Sequence, residues 1–254
     1  MKYSLKEKLR GDAPLLGIIL SLPSPELAEL VSAAGYDWVF IDGEHSTLGF
    51  RDIQIMLQSL SPSCSGVVRV PLLDEIWIKK VLDMGAEGII VPQVQTAEEA
   101  RRVVELCTYP PRGTRSVGVA RANNYGLSFG EYVREANSRH VIILQLEHVK
   151  AFSNIDSILE VEGYDAIFIG PYDYSASAGK TGKVDDPEIQ EQIARVREKC
   201  FRKKIPMGIF GINAAAVKPY ICQGYTLIAC GTDTWLFKDA VLDCLDMLRR
   251  KGQK

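Results

Sequence analysis

The chain has 254 residues, 46% of them hydrophobic and 24% charged, with a formal net charge of −2. Near-neutral charge excludes the electrostatic footprint of a nucleic-acid or anionic-membrane binder, and no apolar run is long enough to span a bilayer. The length suits one large core, so residues 1–254 read as a single domain. The opening MKYSLKEKLRGD has no apolar segment of the secretory type. Cysteines stand at 64, 107, 200, 222, 230 and 244, with no CxxC spacing, which sets aside zinc ribbons and thioredoxin motifs. Reduced thiols in a cytoplasmic protein are the simplest reading.

In chain order, residues 4–11 form a short polar helix ending near Gly11. PLLGIILSL (14–22) is the first apolar strand, and Ser24 caps a helix with Pro25 at its first position. DWVFID (37–42) is the second strand, followed by Gly43-Glu44-His45 and a helix over 50–60. GVVRV (66–70) is the third, stopped by Pro71, and Asp74 opens a helix to Met84. GIIV (88–91) is the fourth, and Thr96 caps the helix AEEARRVVELC. Residues 108–128 are rich in Gly, Pro, Arg and Asn, and a loop of that length is usually functional or an interface element. After a helix over 129–137 come strands at 141–146, 166–169, 206–210 and 227–229. Helices over 153–161, 187–203, 213–222 and 237–250 complete the pattern.

Eight short apolar runs thus alternate with helices. Runs without polar alternation are what strands buried on both faces look like, and strict βα alternation predicts a parallel sheet. The expected fold is a single-domain α/β (β/α)8 TIM barrel. The runner-up, an open doubly wound sheet, lacks the GxGxxG that should follow its first strand.

In such a barrel chemistry gathers at the C-terminal ends of the strands. The second strand delivers Asp42, Glu44 and His45 there, and the third delivers Arg69. The fifth, VIILQLEH, ends on Gln145 and Glu147, which share a face with Ile143 because side chains alternate along a strand. The sixth ends in Gly170-Pro171-Tyr172-Asp173. Strands about 5 Å apart let Glu147 and Asp173 share a divalent cation, and carboxylates, water and a chelating substrate suit Mg2+ or Mn2+. The alternative is two independent loop acids. Arg69 either grips a substrate carboxylate or enolate or pairs internally with Asp42 or Glu44. His45 is either a general base or structural. His140 precedes its strand, at the opposite face, and His148 points away from Glu147. AGKT (178–181) looks like a phosphate loop, but the first glycine of that motif would fall on Tyr174, so it reads as a loop. Arg112, Arg115 and Arg121 read as a solvated or subunit-facing cluster.

The segments IDGEHS (41–46), VRVP (68–71), LDMGAEGIIVPQVQTAEEA (82–100), YPPRGTRSVG (109–118), QLE (145–147) and FIGPYDYSASAG (168–179) resemble the HpcH/HpaI aldolases, class II pyruvate-dependent enzymes acting on 2-keto-3-deoxy acids. The resemblance implies a divalent metal (Mg2+, Mn2+ or Co2+) on Glu147 and Asp173, chelated by pyruvate. It implies Arg69 at the enolate, Gln145 on pyruvate, and backbone amides of Tyr172 and Asp173 on the pyruvate carboxylate. It makes His45 the base, in a dyad with Asp83. Asp83 precedes the fourth strand, however, and belongs at the face opposite His45, so a neighbouring subunit supplies it or its role is structural. Members are commonly homohexamers, dimers of trimers, with C-terminal helices packed between subunits. The last helix carries Leu242, Leu245 and Leu248 on a helical period, as a partner-facing helix would. The sequence departs from the family after GPYD, at Tyr174, Ala178 and the Gly-Lys-Thr-Gly-Lys loop, near where the aldehyde enters. The implied reaction is reversible cleavage of a 4-hydroxy-2-oxo acid to pyruvate and a small aldehyde. Rival readings are an acyl-CoA lyase of malyl- or citramalyl-CoA type, an oxaloacetate decarboxylase, and a non-catalytic barrel serving binding or assembly.

Overall fold

A computed structural model describes residues 4–249. Eight strands close into a barrel: β1 (Leu15–Leu20), β2 (Trp38–Asp42), β3 (Ser65–Arg69), β4 (Gly88–Val91), β5 (Val141–Leu146), β6 (Ala166–Ile169), β7 (Met207–Gly211) and β8 (Leu227–Thr232). Every neighbouring pair is parallel, and β8 pairs with β1 to close the ring. The fold is the expected (β/α)8 barrel.

The helices are α1 (Leu5–Lys8), α2 (Pro25–Ala33), α3 (Phe50–Ser59), α4 (Glu75–Asp83), α5 (Ala97–Cys107), α6 (Phe129–Arg139), α7 (Val149–Ser153), α8 (Ile155–Ile158), α9 (Pro171–Ser177), α10 (Pro187–Arg202), α11 (Ala214–Cys222) and α12 (Asp233–Arg249). Their starts follow local chemistry. The Ser24, Asp74 and Asn213 side chains accept from the amides of Leu27, Trp77 and Ala216, satisfying donors that a helix leaves open at its first turn. Thr96 and Glu99 form a reciprocal capping box on α5.

Side-chain alternation sorts the strands into two cores. Trp38, Phe40, Val67, Ile143 and Phe168 point inward and fill the barrel. Val39, Ile41, Val68, Ile142 and Ile167 point outward against the helices. Phe40 and Phe168 meet edge to face at 5.7 Å, a favoured aromatic geometry. At the N-terminal mouth α1 acts as a stopper: Leu5 (0% exposed) and Leu9 (3%) join the interior layer. The Leu5 amide donates to Glu87 at 2.6 Å, and Lys6 donates to the His140 carbonyl at 2.9 Å.

Several elements differ from the sequence expectation: α1 stops at Lys8, short of Gly11, and β8 runs on to Thr232, past 229. The helix expected over 153–161 is two short ones, α7 and α8, and α7 begins earlier because His148 Nδ1 caps it by accepting from the Lys150 amide. An unexpected helix, α9, follows β6 directly, with Pro171 at its first position. The last helix starts at Asp233, not 237, and its expected final residue, 250, lies outside the described residues. Within the long segment 108–128 the chain makes a 3-10 turn at Arg121–Gly126.

Candidate active site

The inward rows that fill the barrel continue upward into polar residues. On β2 the row is Trp38, Phe40, Asp42; on β3 it is Val67, Arg69; beyond β5 it runs Ile143, Gln145, Glu147. The site is therefore the next layer of the barrel's own packing. Asp42 and Arg69 are register partners on adjacent strands, and this explains their bidentate pair: Arg69 Nε donates to Asp42 Oδ1 at 2.9 Å and Nη2 to Oδ2 at 2.7 Å. Arg69 Nη1 lies 3.1 Å from Glu44 Oε2, and its guanidinium sits 5.0 Å from the Phe40 ring centre. Asp42 also accepts from the amides of Glu44 and His45, at 3.0 and 3.2 Å. Burial pushes the Asp42 carboxyl up, but the hydrogen bonds and charge of Arg69 outweigh it and hold the pKa low.

Glu147 is 1% exposed. Its Oε1 accepts from the Gln93 amide at 2.9 Å, and its Oε2 accepts from Gln145 Nε2. Burial pushes its pKa up to about 7 despite these bonds, with Asp173 and Glu44 adding repulsion. Burial likewise lifts Glu44 to about 7. Gly170 lets β6 pass this carboxylate, since a Cβ there would stand 2.5 Å from Glu147 Oε2. Gln145 Oε1 is buried and has no hydrogen-bond partner. Two hard carboxylate donors, an excess of negative charge and an orphaned amide oxygen fit a divalent cation. Among the described residues no three His, Cys, Asp or Glu side chains gather as a metal centre, so a cation held here would complete its shell from water and substrate.

Above these groups is a cavity of about 270 Å³ lined by Asp42, His45, Arg69, Gln145, Tyr172 and Asp173, among others. His45 is well exposed on the rim, its side chain 64% accessible, with Nε2 4.0 Å from Glu44 Oε2. A single family model, HpcH/HpaI aldolase/citrate lyase, matches residues 16–240 and so spans every one of these positions. The chain belongs to the HpcH/HpaI family.

Among its HpcH/HpaI relatives, a 4-hydroxy-2-oxovalerate aldolase of Novosphingobium aromaticivorans is 37% identical over 250 residues, covering 98% of this chain and 95% of the relative. A 4-hydroxy-2-oxo-heptane-1,7-dioate aldolase of Salmonella paratyphi B is 38% identical, covering 93% of this chain and 90% of the relative. The crystal structure of an HpcH/HpaI aldolase/citrate lyase family protein from Burkholderia cenocepacia superposes with a TM-score of 0.93 at 33% identity, covering 96% of this chain and 98% of that one.

The fold separates Asp83 from the others. It ends α4 at the N-terminal pole, across the barrel from His45, and gives Oδ1 to Arg115 Nη2 at 2.6 Å. Within one copy it cannot pair with His45. His140 is at the same pole, bonded to the Tyr132 hydroxyl at 2.9 Å. Lys180 is tied to Asp186 and Glu188 at 2.6 and 2.8 Å, so the AGKT segment is not a phosphate loop. Of the arginine cluster, Arg115 is fully buried, and Arg121 donates to the Met84 carbonyl at 2.7 Å. Sequence reasoning missed the amide of Gln93, presented at φ 56°, because nothing in VPQVQ marks a left-handed residue. It also missed Phe210, Thr232 and Thr234 as cavity walls.

Proposed function

We propose that this protein is a divalent-cation-dependent class II aldolase that cleaves a 4-hydroxy-2-oxo acid to pyruvate and an aldehyde, and runs the addition in reverse. Relatives named as aldolases over nearly the whole chain make it a carbon–carbon lyase. In cleavage the C3–C4 bond breaks and the C4 hydroxyl loses its proton as the aldehyde carbonyl forms. The electron pair stays on C3 as the pyruvate enolate, which then takes a proton to become the methyl group.

The observation that carries this reading is the buried Gln145–Glu147 pair facing Asp173 below the cavity. Glu147 and Asp173 would hold Mg2+, Mn2+ or Co2+. The bound cation supplies a Lewis acid for the keto oxygen of pyruvate. Arg69 has five N–H donors; Nε and Nη2 each donate one to Asp42, Nη1 is ion-paired with Glu44, and donors on both Nη atoms remain to meet the enolate oxygen. Gln145 orients the keto acid. The amides of Tyr172 and Asp173 stand in the first turn of α9, where a helix has no acceptor of its own for them, and take the pyruvate carboxylate. His45, on the rim, carries the proton. Asp83 contributes to this chemistry only if a neighbouring copy presents it.

Assembly of copies goes with this reading, with the homohexamer as its expected form. Trp235, Phe237, Leu242 and Leu248 of α12 are all exposed large apolar residues. A cytoplasmic location goes with the cysteines, none of which is in a disulfide among the described residues. The test is exchange of pyruvate methyl protons in D2O. Exchange is expected with Mg2+, Mn2+ or Co2+ and is lost with a chelator; full exchange in metal-free buffer overturns the proposal.

A further inference from the structure

The cavity wall divides by chemistry. Asp42, Arg69, Gln145 and Asp173 lie toward β2, β3, β5 and β6, while Ser21, Phe210, Thr232 and Thr234 lie toward β1, β7 and β8. Among the described residues lining it, Arg69 is the one permanent cation, and Asp42 and Glu44 already flank it. The second arc offers hydroxyls and aromatic edges. Thr232 and Thr234 hydroxyls are 3.0 Å apart, and Thr232 Oγ1 accepts from the Trp235 amide at 3.1 Å. Tyr172 and Phe210 rings stand 6.0 Å apart across the sixth and seventh strand ends.

A carboxylate backs this arc from behind. Asp233 is buried and accepts from the Ser21 amide and hydroxyl at 2.8 and 2.7 Å, from the Leu22 amide at 2.8 Å and from the Thr234 amide at 2.7 Å. It uses up the backbone donors that would otherwise receive an anion. A negative charge placed against Ser21 or Thr234 would face the Asp233 carboxylate with no cation to pair with, and like charges that close repel. A methyl or hydroxyl group meets no such penalty. The cavity, at about 270 Å³, is also smaller than drug-sized pockets of roughly 300–1,000 Å³.

We infer that the aldehyde partner is short and uncharged, apolar or hydroxylated at its far end, and that aldehydes bearing a distal carboxylate are disfavoured. This rests on the aldolase reading and narrows it. The relatives' names span both classes: by the same bond cleavage, a 4-hydroxy-2-oxovalerate releases acetaldehyde and a 4-hydroxy-2-oxo-heptane-1,7-dioate releases 4-oxobutanoate. The arc of Ser21, Thr232 and Thr234 in front of Asp233 assigns this chain to the first.

The experiment compares pyruvate addition to 4-oxobutanoate and to its uncharged isostere 4-oxopentanal, with acetaldehyde and glycolaldehyde alongside and Mg2+ or Mn2+ supplied. The expected kcat/KM is at least about 10-fold higher for the isostere than for the carboxylate. Equal or faster use of 4-oxobutanoate overturns the inference, as does refusal of every aldehyde while pyruvate still exchanges protons with D2O. No exchange at all overturns the aldolase reading, and this one with it. Thr234→Arg should raise the 4-oxobutanoate to 4-oxopentanal ratio about 10-fold; an unchanged ratio rejects the β1–β8 arc as the seat of the aldehyde's far end.

Discussion

Two arginines are buried at opposite poles of the barrel, and they are built differently. Arg69, at the C-terminal pole, has Nε, Nη1 and Nη2 all facing carboxylates, and Glu147 and Asp173 lie close by. Arg115, at the N-terminal pole, reaches one carboxylate, Asp83, and otherwise lies among rings: Tyr109 at 4.7 Å and Tyr132 at 5.9 Å. Its Nε and Nη1 have no hydrogen-bond partner. Burial of a cation therefore does not mark a reaction centre. What separates the poles is surplus: Asp42, Glu44, Glu147 and Asp173 outnumber the single guanidinium, and that excess is what a divalent cation would neutralise. At the other pole one acid answers one base, and a hydrogen bond from Arg115 Nη2 to the Tyr132 hydroxyl at 3.1 Å and two tyrosine rings complete the contacts.

The contrast breaks first at Arg115. Arg115→Met leaves Asp83 without its partner, and removing one member of a buried pair costs about 3–5 kcal/mol, measured as a lowered urea midpoint. Turnover per folded molecule should persist. If Asp83→Asn instead abolishes turnover while the midpoint holds, the N-terminal pole takes part in the chemistry, and the contrast fails.

Arg69→Lys is the next largest effect. The replacement keeps the charge but loses the planar fork that meets Asp42, so kcat should fall on the order of 10²-fold with the cation affinity retained by calorimetry. A wild-type rate would place Arg69 with Arg115, as structure alone.

The smallest effect is a pH slope. Burial first, and then the charge of Arg115, push the His140 pKa down to about 3 from 6.5. Between those values the unfolded chain binds a proton that the folded chain refuses. Stability should therefore fall as pH drops from 6.5 toward 3. Glu147 and Glu44, raised to about 7, act in the opposite sense over part of that range. Comparison with His140→Gln isolates the histidine: denaturation curves of the two proteins should converge as pH falls, and parallel curves would remove it.

Much of this was readable in the chain because it depends on local periodicity. The barrel showed as apolar runs without alternation, and Gln145 and Glu147 shared a face because they stand two apart on one strand. The Arg69–Asp42 pair was one of two readings, since an arginine ending one strand and an aspartate ending its neighbour carry no label for register; the β2–β3 alignment brings them side by side. The joining of Ser21, Thr232 and Thr234 into one hydroxyl arc was not readable. It depends on the β8–β1 closure, where the register shifts between Gly17 and Ile19, and on Asp233 reaching amides 211 and 212 positions away. Helix α9 was hidden because Gly-Pro reads as a turn, while Pro171 in fact starts the helix.

The side chains that fill the barrel have a consequence for traffic. Trp38, Phe40, Ile143 and Phe168 leave no passage beneath the site, with Leu5 and Leu9 packed below them, so the cavity opens at the C-terminal mouth alone. On the proposed reading pyruvate would sit at the bottom, over the 1%-exposed Glu147, with the aldehyde above it near exposed Thr234. Departure would follow that stacking: the aldehyde first and pyruvate last, with pyruvate entering first in synthesis. A saturating aldehyde would then trap the keto acid beneath it, so product-inhibition patterns report on a cavity with a solid floor.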